Sequence, residues 1–177
     1  MSLKNNMRAG IVILLFLSLL ASSGIISPPG AAAEPSQYEL IADVQGETYY
    51  FDKKNMQFFK DAYSEELFLN AWVRTDYSPA KAKEILVARA AGGLPVKGYE
   101  QLKSIETHLF IRVAARQLQI TATADFAADG TMLETVHSTF QPDLWRNIES
   151  ATIGELWFNK ITAYAAANDS YLRRFMK

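Results

Sequence analysis

Apolar and polar side chains alternate from Tyr38 to Val44, with positions 38, 40, 42 and 44 on one side, the pattern of a half-buried strand. Gly46 permits a turn, and Thr48 to Asp52 resumes a β-rich run. A polar turn over Asp52-Lys53-Lys54-Asn55 precedes Met56-Gln57-Phe58. The run from Leu67 to Thr75 predicts a longer strand. Leu67, Leu69, Ala71 and Val73 share one face of it, and Phe68, Asn70, Trp72 and Arg74 the other, so both sides are partly covered. The period then changes. Ser78-Pro79 reads as an N-cap with Pro at the first helical position, Ala80 to Ala91 favour helix, and Gly92-Gly93 ends it.

Two strong strands follow. Ile105, Thr107, Leu109, Ile111 and Val113 alternate against Glu106, His108 and Arg112. Leu118, Ile120, Ala122, Ala124 and Phe126 alternate against Gln117, Gln119, Thr121, Thr123 and Asp125. A two-residue turn at Ala114-Ala115 sets Leu118 opposite Ile111 and Ile120 opposite Leu109, so the apolar faces coincide. Asp129-Gly130 predicts a tight hairpin into a strand over 131–139. Thr152 and Glu155 fit a capping box. Behind it Ile153, Leu156, Trp157, Ile161, Tyr164 and Ala165 recur on one helical face. Asn168 to Ser170 ends this helix, and 171–177 reads as a frayed tail. The predicted fold is α+β, an antiparallel sheet of about six strands packed against a C-terminal helix, with one inserted helix.

The N-terminus changes the picture of where this fold works. Lys4 and Arg8 precede an apolar run over residues 11–21, and Ala31-Ala32-Ala33 supplies small residues for cleavage before Glu34. The apolar core is about 11 residues, short of the ~20 that span a bilayer. The expectation is a signal peptide over 1–33, one domain over 34–170 and a tail over 171–177, placed in the bacterial periplasm or at the cell surface, with no stable membrane span after cleavage. Losing Lys4 and Arg8 leaves 16 basic against 19 acidic side chains, which is no footprint for nucleic acid. The chain has no Cys, which excludes disulfides, thiolate metal sites and a lipidated cysteine.

Candidate chemistry is sparse. His108 and His137 are the two histidines. On the proposed turns His108 pairs with Thr121 on the polar face and His137 lies opposite Ala122 on the core face. They then point to opposite sides of the sheet, His108 exposed and His137 hydrogen-bonded inside. Glu65-Glu66 reads as a solvated strand entrance, and Glu134 near Asp125 sits in no acid/base frame. No nucleophile elbow, phosphate loop, zinc helix or dinucleotide fingerprint occurs, so no catalytic, metal or cofactor residue is assigned. The aromatic group around Tyr49, Phe51, Phe59 and Trp72 is the candidate partner-binding surface, through exposed rings or strand edges. Core packing is the competing role of at least half of them. A pocket between sheet and closing helix near Trp72, Trp145 and Trp157 is the small-ligand alternative.

The order of certain motifs resembles the surface-adhesin protein E family of small exported bacterial proteins. They are Tyr49-Tyr50-Phe51-Asp52, Asn70-Ala71-Trp72-Val73, Leu94-Pro95 with Gly98-Tyr99, Asp125 to Gly130, and Trp145, Ile148 and Ser150 before Gly154-Glu155-Leu156. The resemblance implies a curved antiparallel sheet on a C-terminal helix. It also implies a non-enzymatic module binding a host matrix or envelope protein, with a homodimer admitted. Family members carry cysteines at places that fall near Val113 and Ile161 here, both apolar.

Overall fold

The computed structural model describes residues 37–60, 66–138, 144–174 and 176. The predicted leader over 1–33, Glu65 of the Glu65-Glu66 pair and residue 139 lie outside the described residues. Eight strands form one antiparallel sheet: β1 Tyr38–Val44, β2 Glu47–Asp52, β3 Gln57–Lys60, β4 Leu67–Tyr77, β5 Leu102–Arg112, β6 Gln117–Ala127, β7 Met132–His137 and β8 Arg146–Asn147. Six run in the order β1-β2-β4-β5-β6-β7, while β3 continues the β2 side of β4 and β8 pairs with β6. Helix α1 (Pro79–Ala91) is the inserted one, α2 (Ile153–Ala167) closes the chain, and a short α3 (Asp169–Leu172) follows it. The α+β architecture is as the periodicity predicts.

The alternation on β4 sorts the sheet into two faces. Leu69, Ala71 and Val73 join Phe51, Phe58, Leu109, Ile111 and Leu118 in a core that packs against Phe158, Ile161 and Ala165 of α2. Farther along the same face, Tyr77, Tyr99, Leu102 and Leu133 pack with Ala82, Ile85 and Leu86 of α1. Both helices therefore lie on one face, α2 over one end and α1 over the other.

The local signals act as read, with instructive departures. Ser78 Oγ caps α1 by accepting from the Lys81 amide at 3.3 Å. Thr152 Oγ1 accepts from Glu155 N at 3.3 Å, and Glu155 Oε2 accepts from Ala151 N at 2.9 Å. The buried residues of α2 are Phe158, Ile161 and Ala165, whereas Leu156, predicted inward, is 42% exposed. The tail is not frayed at its start: Leu172 of α3 is 1% exposed and belongs to the main core. Between β5 and β6, Ile111 faces Leu118 and Leu109 faces Ile120 as predicted, around a wider turn over 113–116.

The β1–β2 hairpin turns on Gln45 and Gly46, both at positive φ (51° and 82°), the pair of conformations a two-residue turn of type I′ requires. This turn docks on the start of α1, with Ser78 N donating to Gly46 O at 2.8 Å. A Cβ on Gly46 would lie 2.5 Å from Ser78 Oγ. Gly46→Ala should therefore cost more than the ~1–2 kcal/mol of the left-handed backbone alone, read as a lowered urea midpoint. A loss below ~0.5 kcal/mol would mean that the turn and cap are not coupled.

Candidate functional site

The sheet face that no helix among the described residues covers, the helix-free face, carries a belt of polar and aromatic side chains. Trp72, His108, Ala122 and His137 form one row across β4, β5, β6 and β7. The two histidines thus share a face, contrary to the sequence expectation. The reason is a register shift between His108 and Leu109, which leaves Thr121 as an extra residue on β6 and brings Ala122 opposite His108. The exposures are reversed as well. His108 is buried, and His137 is half-exposed with its Nε2 3.3 Å from Thr135 Oγ1.

Both nitrogens of His108 are engaged, Nδ1 with Thr121 Oγ1 and Nε2 with Asn70 Oδ1, each at 2.5 Å. With Asn70 Oδ1 as acceptor, the ring hydrogen sits on Nε2 and the Thr121 hydroxyl donates to Nδ1. Burial, with a smaller contribution from the His137 charge, lowers the imidazole to about 4 and keeps it neutral. Hydroxyl, imidazole and amide stand here in the order that nucleophilic catalysis uses. Yet Thr121 and His108 are both buried, and the ring is packed against Trp72 and Phe110 at 4.7 and 5.2 Å. That packing makes the trio a structural lock within the described residues.

Glu106, two residues earlier, is 2% exposed. Tyr38 donates its hydroxyl to Oε1 at 3.0 Å, while Oε2 is buried with no partner among the described residues. Arg74 stands opposite on β4 but gives its Nε to Asp76 at 2.7 Å. Burial pushes the Glu106 carboxyl up to about 7, the Tyr38 hydrogen bond and the Arg74 charge opposing. Asp52, also fully buried, is fully used. It accepts from Lys54 N, Asn55 N, Asn55 Nδ2 and Gln37 Nε2, which closes the polar turn.

The four predicted partner-binding rings are not one surface. Tyr49 and Phe51 face α2, against Trp157 and Tyr164 at 6.0 and 5.2 Å. Trp72 is buried on the other face. Only Phe59 is half-exposed, stacked on Phe68 at 5.2 Å. The three tryptophans do not share a pocket either. Trp145 stacks on Phe68 on the helix-free face with Trp72, and Trp157 lies on the helix face. Strand edges are blunted. The outer strand β1 carries a register shift between Leu40 and Ala42 and two acids, Glu39 and Asp43. At the other edge, β7 is six residues long with its own shift near Phe126. Glu66, read as solvated, pairs with Arg112 at 2.6 Å.

What the residues do form is a cleft of about 360 Å³ between the β1–β2 hairpin, α1 and the start of α2. Its apolar lining is Val44, Tyr49, Ile153 and Leu156, with Val44 41% and Leu156 42% exposed. Its charges are already paired within the chain. Lys81 Nζ meets Glu47 Oε1 at 3.2 Å, the Tyr49 hydroxyl donates to Glu47 Oε2, and Glu155 holds the α2 cap. The sequence signal for it lay in two hydrophobes, Val44 and Leu156, assigned to buried faces that the structure leaves open. Among the described residues, no cluster of His, Asp and Glu could hold a metal, and no helix is long and apolar enough to cross a membrane. Comparison with protein-family models, curated proteins and solved structures finds no match.

Glu106 generates a pH prediction with a definite sign. Its folded pKa lies above the ordinary 4.5, so its contribution to stability is present at low pH and is lost as pH rises through about 7. Glu106→Gln cannot ionise. The variant should gain on the wild type between pH 5 and pH 8, by on the order of 2 kcal/mol in the difference of their unfolding free energies. A difference that stays constant with pH would show the carboxyl ionising normally. In nitrogen-15 spectra, the His108 ring should remain one neutral tautomer on acidification to about pH 5; protonation near 6.5 would contradict the two-sided lock.

Proposed function

We propose that this chain is an exported, non-enzymatic binding module that engages a protein partner through the cleft between the β1–β2 hairpin and the start of α2. The carrying observation is the pairing of exposed Val44 and Leu156 at the rim with charges already satisfied inside. An apolar or aromatic anchor side chain from a partner can enter without leaving a buried charge alone, and a few centrally buried anchors, Trp and Tyr prominent among them, dominate most protein interfaces. Export is supported by the Lys4/Arg8 start, the apolar run and Ala31-Ala32-Ala33. The motif order that resembles the surface-adhesin protein E family supports a host matrix or envelope protein as the partner class.

The test uses the purified protein, screened by surface plasmon resonance against host matrix proteins and envelope proteins, with its mass measured by sedimentation. Val44→Asp and Leu156→Asp place charge at the rim and should weaken binding at least tenfold, with the fold intact by circular dichroism. A strictly monomeric protein that binds none of them removes this reading. The second reading, a periplasmic small-ligand carrier, draws on the cleft volume of about 360 Å³, within the ~300–1,000 Å³ of small-molecule sites. Native mass spectrometry decides between them: a co-purifying small molecule, lost in the Leu156→Asp protein, favours the carrier.

A further inference from the structure

A second polar cluster lies under α1, independent of the cleft. Arg89 points inward from the last turn of α1 and is 4% exposed. Its Nη2 meets Glu134 Oε2 at 2.7 Å, and its Nη1 stands 4.0 Å from Asp125 Oδ2. Nε donates to the Pro95 carbonyl at 3.1 Å, and the guanidinium carbon lies 3.7 Å from the centre of the Tyr99 ring. The Tyr99 hydroxyl is 2.5 Å from Asp125 Oδ2 and 2.8 Å from Glu134 Oε2. A phenol has one hydrogen to donate, so two ionised carboxylates cannot both receive it. Asp125 and Glu134 also stand directly opposite one another in the β6–β7 register. Like charges so placed repel.

We propose that Asp125, Tyr99 and Glu134 form a buried proton-binding site, and that the proton held there fastens α1 to the sheet. In the loaded state the Asp125 carboxyl donates to the Tyr99 oxygen, and the Tyr99 hydroxyl donates to Glu134. Glu134 is the ionised member, because the guanidinium contacts it at 2.7 Å and Asp125 only at 4.0 Å. Each hydrogen then has one donor and one acceptor. Loss of the proton leaves two facing carboxylates, one phenolic hydrogen and one guanidinium. The other titratable group facing Asp125 is Tyr77 of β4, whose phenol is pushed up by burial and then by the Asp125 charge. Strand β5 presents Ile105 opposite Asp125 and adds no charge there. Burial pushes the Asp125 carboxyl up to about 6, with the Tyr99 hydrogen bond and the Arg89 charge opposing and the Glu134 charge adding. A raised folded pKa gives stability that is complete below 3.8 and is lost as pH rises through about 6.

The first measurement is carbon-13 NMR of the Asp125 carboxyl in the wild-type protein. The expected midpoint is near pH 6, about two units above the ordinary 3.8; a midpoint at or below 4 overturns the proposal. The second is amide exchange over α1, corrected for the intrinsic pH dependence of exchange. Protection should fall in the wild type between pH 5 and pH 8. Asp125→Asn should remove the part of this fall that is specific to α1, because the amide donates to Tyr99 at every pH. A wild-type α1 whose protection does not change with pH overturns the fastening role, and this readout needs no variant to fold. Glu106, on the opposite face, titrates against global unfolding and so moves α2 amides as well; the fastening role is read from the fall over α1 in excess of that over α2.

Discussion

Everything in this molecule hangs on the burial of one face of three eleven-residue strands, β4, β5 and β6, beneath α2. Leu69, Val73, Leu109 and Ile111 on the strands and Ile161 on the helix are completely buried, and each such side chain is worth roughly 1.5–3 kcal/mol of transfer from water. Ala71 and Ala165 are buried in the same cluster, and small side chains there let the helix backbone come close to the sheet. With no cysteine in the chain, no covalent link adds to this interface. Ile161 on the helix is buried, whereas Val113 at the β5–β6 turn is exposed.

The elements were legible because period-2 and helical spacing are local properties of the chain. Ser78-Pro79, Thr152 with Glu155, Gly46 and Asp129-Gly130 each act within three or four residues, and each appears where the pattern puts it. What was not legible is long-range. The extra residue at Thr121 leaves no mark in an alternating run, yet it moves His137 into the row of His108. The inward face of α2 turned to Phe158 because the sheet beneath offers Leu118 and Ile111, and that choice left Leu156 at the cleft. The candidate site was therefore hidden by the same step that made the core. The chemistry of Tyr99, Arg89 and Glu106 was unmarked for a related reason: it comes from partners 35, 45 and 68 residues away in the chain.

The two faces of the sheet solve the problem of buried polarity differently. Under α1, the charges of Arg89 and Glu134 are partnered with each other, and a phenol bridges the carboxyls. On the helix-free face, His108 is satisfied on both nitrogens, but Glu106, among the described residues, on only one oxygen. The titrations oppose one another. His108, lowered to about 4, favours the folded state increasingly as pH rises from 4 toward 6.5, because the unfolded chain holds the proton longer. Glu106 and Asp125, raised to about 7 and about 6, act in the contrary sense over nearly the same window. His108 offsets about one of the two carboxyls, so stability falls on balance as pH rises, and local probes are what separate the three contributions.

The cleft follows from the same geometry. Two helices on one face, over opposite ends of the sheet, leave a gap that, among the described residues, the β1–β2 hairpin borders. Gly46 fits against Ser78 with no room for a side chain, so the hairpin is pinned at its tip and cannot fold down to fill the gap. Val44 and Leu156 are left facing water, whereas Lys81 and Glu47 neutralise each other. A surface of this kind offers a visiting charged group little, because any new ion pair must first break an existing one. It offers an apolar group contact area at no such cost. Selectivity at the cleft should therefore rest on shape and apolar fit, with salt having little influence on the strength of binding.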